Sequence, residues 1–517
     1  MQPLRSIPLI AALIGAPSAP GFAQGPKWID VSIDLNQRAD DLFRVRVSVS
    51  GLRPGNAIYQ FPVTAPGTYQ VMNVGRYVRS FHAFDAEGVE LPVEQVSVNQ
   101  WRLGAPERTR ELRYTIAETW DTPVDRDRIY PMAGTSLEAD HALINPHAVT
   151  GYFHGLQATP IRLRLDYPAG WTIGTPLERD RDGAYRALNF DHLVDSPLLL
   201  GRLTTARLEI TGVPVEIYVY SRTDKISAQH LMDAMSAMLR SAGTFLGKLP
   251  VDRYTFLYHF ENRSVGAWEH SQASEYVLRE QEFTPGFGQR ITDIAAHEFF
   301  HVVTPLNVHS EVIAHFNFVT PVPSQHLWLY EGTTEWAAHA MQLRSALVTP
   351  EQHLATILDK MRADRQFDST YSLVKLALTS FSDSGQAQYA NIYQRGALAA
   401  GLLDIRLLEL SGGRRGLQDL INDLAKKYGK KRAFPEDRLF DVITSQTSPA
   451  IGDFFQRYVQ RAEPLPIREY FAKLGIRLVT DSTNSPVRFE LDPNATREQL
   501  KLRAAWCGKG CATRPTA

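Results

Sequence analysis

The pattern of apolar residues changes once along the 517-residue chain, and this change limits the architectures that the chain can adopt. Before about residue 205, apolar and polar residues alternate in short runs such as 31–35 and 43–49, which is typical of half-buried strands. Beyond that point, longer segments such as 227–246 and 392–410 carry apolar residues at helical spacing. The sequence therefore predicts a multidomain α+β protein.

Turn residues and helix stops divide the chain further. We predict a β-sandwich-like N-terminal domain over 24–205, a domain of strands followed by helices over 206–411, and a helical domain over 412–478. Gly412-Gly413 marks the stop between the last two. Residues 479–517 are predicted to be a tail with one short strand at 487–491.

Charge and cysteine content exclude several classes of protein. The chain has 55 Lys and Arg against 56 Asp and Glu, so it lacks the positive charge of a nucleic-acid-binding protein. It has only two cysteines, which excludes a multi-cysteine zinc or iron–sulfur site. The short spacing of Cys507 and Cys511 leaves open whether they are bonded or free.

The N-terminus predicts export. Arg5 precedes an apolar stretch at 7–14, and Gly21-Phe22-Ala23 is a small-x-small cleavage site, so residues 1–23 have the organisation of a signal peptide. No later stretch reaches about 18 apolar residues, and no membrane span is predicted. The expected location is the periplasm or the extracellular medium.

A five-residue segment, HEFFH at 297–301, predicts the chemistry. Residues four apart lie on one face of a helix, so His297 and His301 can bind a single Zn²⁺. The intervening Glu298 can then act as the general base on a metal-activated water. Ordinary half-buried histidines are the alternative for this segment.

A catalytic zinc needs a third protein ligand and keeps one position open. Glu331, in the segment LWLYEGTT at 327–334, is our candidate, and the sequence predicts one zinc per chain. Without HEFFH, Glu331 would be interpreted as an acidic residue favoured at a helix start. Glu335 lies four residues further on the same face, where it can orient a ligand histidine or simply be solvated.

These segments resemble the gluzincin zinc metallopeptidases, and among them the glycyl aminopeptidase family. HEFFH with EGTT is similar to the thermolysin-like zinc pattern, GAWEH at 266–270 to the family's GGLEH-type motif, and YQRG at 393–396 to its tyrosine element. Segments FPVTAPGTY at 61–69 and NFDHLVDSP at 189–197 resemble its β domain. The resemblance covers about 28–478 and implies a thermolysin-like catalytic domain. The tail is too short for the PDZ-like domain with which relatives often end.

The resemblance also implies roles for individual residues. Tyr393 would stabilise the oxyanion, with Tyr389 as the fallback, and Glu269 would bind the free α-ammonium of a peptide. A core tyrosine and an edge-strand carboxylate are the alternatives for Tyr393 and Glu269. The motif places three more residues at the substrate: Gly266, Ala267 and Trp268. Trp268 is expected to narrow the pocket, which favours Gly or Ala at the peptide N-terminus.

The segment after HEFFH departs from many relatives. Here it is VVTPLNVH at 302–309, without the basic residues of the usual WNVKR run, so the substrate contacts on that side differ. The predicted function is an exported zinc aminopeptidase acting on peptides. A zinc endopeptidase of the same clan, or a peptide-binding module with a vestigial metal site, are the alternatives.

Overall fold

The computed structural model describes residues 27–263, 265–479 and 487–511. The predicted signal peptide lies outside them. The architecture is multidomain α+β, with a β-rich N-terminal domain followed by a sheet and a largely helical C-terminal region. Among the described residues, the helices are too short or too polar to cross a membrane.

The N-terminal domain is built from three sheets around one apolar core. The strands of its eight-stranded sheet are, in spatial order, Glu178–Arg179, Tyr185–Ala187, Ile161–Asp166, Ile29–Asp34, Leu42–Ser48, Glu111–Ala117, Val78–Phe84 and Glu90–Leu91. One four-stranded sheet contains Thr172–Gly174, Leu198–Gly201, His141–Ile144 and Ser136–Leu137. The other contains Tyr152–Phe153, Ile58–Gln60, Gln100–Leu103 and Val93–Ser97.

The alternation of apolar and polar residues explains why these segments form strands: every second residue of Ile29–Asp34 is buried. The two strands predicted at 31–35 and 43–49 are confirmed with small shifts of their ends, as Ile29–Asp34 and Leu42–Ser48. The core between the sheets is rich in aromatic rings. The Phe81 ring stacks on Trp101 and on Tyr114 at centroid distances of 5.2 and 5.6 Å.

A five-stranded sheet begins the second half of the chain. In spatial order its strands are Thr204–Ile210, Val213–Ser221, Tyr254–Glu261, Ala273–Arg279 and Gly266–His270. The three middle strands run parallel, and both outer strands are antiparallel to their neighbours. Among the residues that the structure describes, no further strand pairs with the outer side of the edge strand Gly266–His270.

Helices cover this sheet and predominate in the remaining described residues. Those of the described residues are Ala228–Leu246, Pro285–Phe300, Glu311–Ala314, Thr333–Arg344, Pro350–Asp364, Leu373–Leu378, Asp383–Gln386, Asn391–Ser411, Leu417–Lys427, Leu439–Gln446, Pro449–Phe455, Ile467–Lys473 and Arg497–Cys507. A short helix in the N-terminal domain spans Phe190–Val194.

The region from residue 412 shares its core with the five-stranded sheet. Buried residues from both belong to a single apolar cluster, which explains why these helices form. Strands Ile476–Val479 and Arg488–Leu491 pair, and the helix Arg497–Cys507, which the sequence did not predict, packs Trp506 against His353 at 5.5 Å. Cys507 and Cys511 form a disulfide.

Candidate metal centre and active site

The helix Pro285–Phe300 carries the first residues of the site. Thr284 caps its N-terminus, accepting a hydrogen bond from the Phe287 amide, and Pro285 is pre-organised for the first turn. His297 and Glu298 lie in the last turn, and His301 follows directly after the helix. The helix thereby directs both imidazoles to one side, as the four-residue spacing requires.

The third candidate metal ligand lies on a neighbouring element. Glu331 lies in a π-helical turn, Trp328–Gly332, which leads into the helix Thr333–Arg344. π-helical turns occur frequently at functional sites. Gly332, the last residue of this turn, lies close to the backbone of Gly396. A Cβ on Gly332 would lie only 2.8 Å from the Gly396 carbonyl carbon.

Three buried side chains converge at this point. The Nε2 atoms of His297 and His301 are 3.1 Å apart, and Glu331 Oε2 lies 3.4 Å from the first and 3.5 Å from the second. All three residues are buried. Burial raises the pKa of the Glu331 carboxyl, but the two histidines outweigh it and lower that pKa to about 2. The carboxylate is therefore available as a ligand.

The triangle fits a zinc ion. Zinc bonds nitrogen and carboxylate oxygen at about 2.0–2.2 Å, so tetrahedral ligand atoms lie roughly 3.4 Å apart. The three distances of 3.1, 3.4 and 3.5 Å agree with that spacing. Two imidazoles and one carboxylate are a donor set of catalytic zinc sites, which keep a fourth position open. His297, His301 and Glu331 are thus the residues that would hold the metal.

Further hydrogen bonds orient both imidazoles. The His301 Nδ1 donates to the Thr304 carbonyl at 2.9 Å, and the His297 Nδ1 donates to Glu335 Oε2 at 2.7 Å. Each bond holds the proton on Nδ1 and leaves the Nε2 lone pair directed into the site. Lys360 and His339 bind the other oxygen of Glu335. Glu335 is therefore held at the ligand histidine.

Two more carboxylates complete the site. Single ligand atoms of Glu269, Glu298 and His301 lie within 4.8 Å of one another, and all three residues are buried. Burial, together with Glu269 and Glu331, raises the pKa of Glu298 to about 7 against the lowering effect of the two histidines. Burial also raises the pKa of Glu269, and His301 opposes it. Both carboxyls therefore hold a proton more readily than exposed ones.

Tyr393 lies beside the ligands. Its ring centroid is 5.5 Å from that of His297, and its Oη is 3.4 Å from Tyr389 Oη. Burial, followed by the charge of Glu331, raises the pKa of Tyr393 well above its usual value, so its hydroxyl keeps its proton. Tyr389 precedes Tyr393 by four residues, and its ring centroid lies 5.3 Å from that of Tyr69.

The side chains of the GAWEH segment, 266–270, lie on both faces of the edge strand. Neighbouring residues on a strand point to opposite faces, so Glu269 faces the histidines while Trp268 points away. Trp268 is buried in the core of the N-terminal domain, where its Nε1 donates to the Pro66 carbonyl at 3.1 Å. Gly266 and Ala267 are half-buried. Trp268 thus contacts a loop of the N-terminal domain.

That loop, 65–69, brings residues to the site that the sequence did not place there. Gly67 has a φ of +75°, and a Cβ on it would lie 2.7 Å from Glu269 Oε1 and 2.8 Å from Trp268 Nε1. Gln386 Nε2 donates to the Tyr69 carbonyl at 2.7 Å. The loop therefore lies against Glu269 and Trp268 at Gly67 and is hydrogen-bonded to Gln386 at Tyr69. Its only sequence signal was the resemblance of the segment that contains it.

Comparison with known proteins agrees with this site. The model of the peptidase M61 N-terminal domain matches residues 30–202, and that of the M61 glycyl aminopeptidase matches residues 290–399. Together the two matches span more than half of the chain. No curated protein is similar enough in sequence to count as a match.

Solved structures share the fold. An aminopeptidase N family protein from Idiomarina loihiensis is 20% identical with a TM-score of 0.78, over 87% of this chain and 79% of that one. An M1 zinc metallopeptidase from Deinococcus radiodurans is 14% identical with a TM-score of 0.51, over 86% of this chain and 95% of that one. Another structure of the Deinococcus enzyme is a mutant bound to a Tyr-Ser-Ala substrate.

A β-rich domain, a helical catalytic region and a buried His-His-Glu cluster beside a further glutamate define a metallopeptidase. The chain belongs to the M61 glycyl aminopeptidase family. It is a metallo-aminopeptidase, as the sequence predicted.

Proposed function

We propose that this protein is an exported zinc aminopeptidase that removes a small N-terminal residue, glycine or alanine, from peptides. The observation that carries the proposal is the position of Glu269, a buried carboxylate adjoining Glu298 and His301. A carboxylate whose oxygen lies within 4.8 Å of ligand atoms of Glu298 and His301 can pair with the positive charge of a free peptide N-terminus.

One zinc ion would be held at this site by His297, His301 and Glu331, and we propose that the surrounding region is thermolysin-like. When bound, zinc supplies a Lewis acid that polarises the scissile carbonyl and makes water a better nucleophile near neutral pH. The remaining chemistry belongs to the side chains of the chain itself.

Glu298 is the general base. Its carboxylate accepts a proton from the attacking water and passes it to the departing amine. A pKa raised to about 7 by burial suits this exchange, because the group can both take up and release a proton near neutral pH. Tyr254 donates to the Glu298 carbonyl at 3.5 Å and so contacts the turn of helix that presents this carboxylate.

Tyr393 is the oxyanion donor. It lies on the helix Asn391–Ser411, with its ring centroid 5.5 Å from that of the ligand His297. A fixed donor aimed at the developing negative charge stabilises the transition state more than the substrate. The hydroxyl of Tyr389, 3.4 Å away, supports its orientation.

The edge strand Gly266–His270 would hold the peptide. Its outer side offers backbone groups to an extended substrate, which binds by adding a strand. Gly266 packs against Met132, whose Sδ a Cβ would approach to 2.7 Å, and Glu269 would meet the first residue of the bound peptide. The loop 65–69 limits the space beyond Glu269, which supports a preference for glycine or alanine. Trp268 contributes by holding this loop.

Free and N-acetylated aminoacyl anilides test the proposal directly. Zinc-reconstituted protein should cleave glycyl and alanyl substrates about 10–150-fold better in kcat/KM when their amine is free, which is the value of a charge-assisted pair. Glu269→Gln should shrink that ratio towards one. Equal cleavage of free and acetylated substrates by the wild type would instead indicate an endopeptidase.

Two further results would contradict the proposal. A protein that holds zinc but hydrolyses none of these substrates would be a binding module. Faster cleavage of leucyl than of glycyl substrates would contradict the preference for small residues.

The export proposal rests on residues 1–23 and is supported by the Cys507–Cys511 disulfide, since disulfides persist in oxidising compartments. Its test is the N-terminal sequence of the mature protein.

A further inference from the structure

A second cluster of metal-binding side chains lies where the two halves of the protein meet. His141 begins the strand His141–Ile144 of the N-terminal domain, and His259 and Glu261 lie on the strand Tyr254–Glu261 of the five-stranded sheet. Residues two apart on a strand point to the same face, so His259 and Glu261 face His141 together. Single ligand atoms of the three lie within 4.8 Å of one another.

Each of these three side chains is buried with at least one polar atom left without a hydrogen bond. His141, His259 and Glu261 are 2%, 1% and 9% exposed. Among the described residues, no hydrogen-bond partner is found for His141 Nε2, for either ring nitrogen of His259, or for Glu261 Oε2. Buried polar atoms in proteins are nearly always bonded, so four unbonded ones in one place require an explanation.

The surroundings direct these atoms towards one another. Asp140 Oδ1 lies 3.0 Å from His141 Nδ1, and this carboxylate–histidine pair leaves Nε2 free to face the cluster. Arg222 approaches Oε1 of Glu261 at 3.5 Å, whereas Oε2 lies 3.9 Å from His259 Nε2. One oxygen of Glu261 is thus neutralised by an arginine and the other faces the imidazole.

Aromatic rings enclose the cluster. Tyr220 stacks on His141 with ring centroids 3.8 Å apart, and Trp120 meets His259 edge to face at 4.9 Å. Burial lowers the pKa of both histidines. Arg263 donates to Asp121 at 2.9 Å, and its charge also lowers the pKa of Glu261 and of His259.

We propose that His141, His259 and Glu261 bind a second divalent transition-metal ion, for which zinc is the probe, separate from the ion at His297 and His301. Two imidazoles and a carboxylate suit zinc, whose ligand atoms lie about 3.4 Å apart. His259 Nε2 and Glu261 Oε2 are 3.9 Å apart, and the three ligand atoms lie within 4.8 Å of one another. Because the ligands come from both halves, this ion fastens the N-terminal domain to the catalytic sheet.

Zinc stoichiometry of the full-length protein tests the proposal. After chelation, reconstitution and removal of free metal, the wild type should hold two zinc ions per chain. The variant His297→Ala/His301→Ala should hold one, and His259→Gln should hold one while keeping its peptidase activity. One zinc in the wild type with none in His297→Ala/His301→Ala would overturn the second site, as would two in His259→Gln.

Two further variants separate metal loss from misfolding. His147→Gln is a matched control, because His147 is fully buried with both ring nitrogens unbonded but belongs to no metal-binding group among the described residues. It should keep two zinc ions. Glu261→Gln should keep one, and two zinc ions in Glu261→Gln would overturn the ligand assignment.

If His259→Gln fails to fold, thermal unfolding tests the second site instead. Excess zinc should raise the Tm of His297→Ala/His301→Ala by about 2–4 °C. An unchanged Tm would overturn the proposal.

Discussion

The backbones of Gly332 and Gly396 touch. A Cβ on Gly332 would lie 2.8 Å from both the Cα and the carbonyl carbon of Gly396, and a Cβ on Gly396 would lie 3.0 Å from the Cα of Gly332. This contact joins the turn that carries Glu331 to the helix that carries Tyr393. It gives a physical reason for the glycine directly after Glu331 and for the glycine three residues after Tyr393.

Gly332→Ala should therefore destabilise the protein and weaken metal binding. The methyl group would force the two backbones apart, and overpacking of this kind costs about 1–3 kcal/mol. The matched control is Gly401→Ala on the same helix as Gly396, where a Cβ would meet its nearest atom at 3.7 Å. Alanine there should stabilise the helix by about 0.5–1 kcal/mol. Denaturant unfolding of both variants measures the difference, and equal stability would contradict the argument.

Glu298→Gln separates the base from the ligands. The substitution preserves the shape of the side chain and touches none of the atoms that form the His297, His301 and Glu331 triangle. Zinc content should stay at the wild-type level while kcat falls about 10²–10⁴-fold, the usual contribution of a general base. Normal turnover with full zinc would exclude Glu298 from that role.

Tyr393→Phe should act on the transition state. Removing one oxyanion donor costs about 2.7–4 kcal/mol, so kcat and kcat/KM should fall together by about 10²–10³-fold while KM changes little. Tyr389→Phe is the control, since it removes a neighbouring hydroxyl 3.4 Å away. The two roles would be exchanged if Tyr389→Phe produced the larger loss of kcat.

Glu335→Gln should weaken zinc binding without abolishing it. The carboxylate accepts the His297 Nδ1 hydrogen at 2.7 Å and increases the basicity of that ligand. Loss of such a partner typically costs about 10–100-fold in metal affinity. Competition with a chelator measures it, with Glu351→Gln, an exposed residue at the start of the helix Pro350–Asp364, as control. Equal affinities for the two variants would show that Glu335 does not support the ligand.

Acid should destabilise the fold through buried histidines such as His353. Burial, aided by nearby His339, Arg344 and Lys360, lowers the pKa of His353 from 6.5 to about 3. Between these values the unfolded state binds a proton that the folded state does not, so stability is lost as pH falls below about 6.5.

His353→Leu removes this linkage. The free energy of unfolding of the wild type should drop by roughly 2 kcal/mol more than that of His353→Leu between pH 6.5 and pH 5. Denaturant titrations at the two pH values measure both drops. Identical drops in the two proteins would show that His353 does not contribute to the pH dependence.

Local patterns in the sequence were sufficient to predict part of this structure. Strand alternation predicted the β-rich N-terminal half, and apolar spacing predicted the helix Asn391–Ser411 to within one residue at each end. HEFFH predicted a two-histidine metal site because residues four apart must share a helix face. In each of these cases the determining residues are neighbours in the sequence, so the backbone geometry alone relates them.

Only the tertiary structure decided which distant residues meet. That Trp268 narrows the substrate pocket stays a prediction, and the tertiary structure adds that its indole lies in the N-terminal core, where Nε1 donates to the Pro66 carbonyl. The approach of Gly67 to Glu269 and of His141 to His259 depends on how two domains pack. No pattern within one segment encodes such contacts, since the packing of many residues across an interface determines them together.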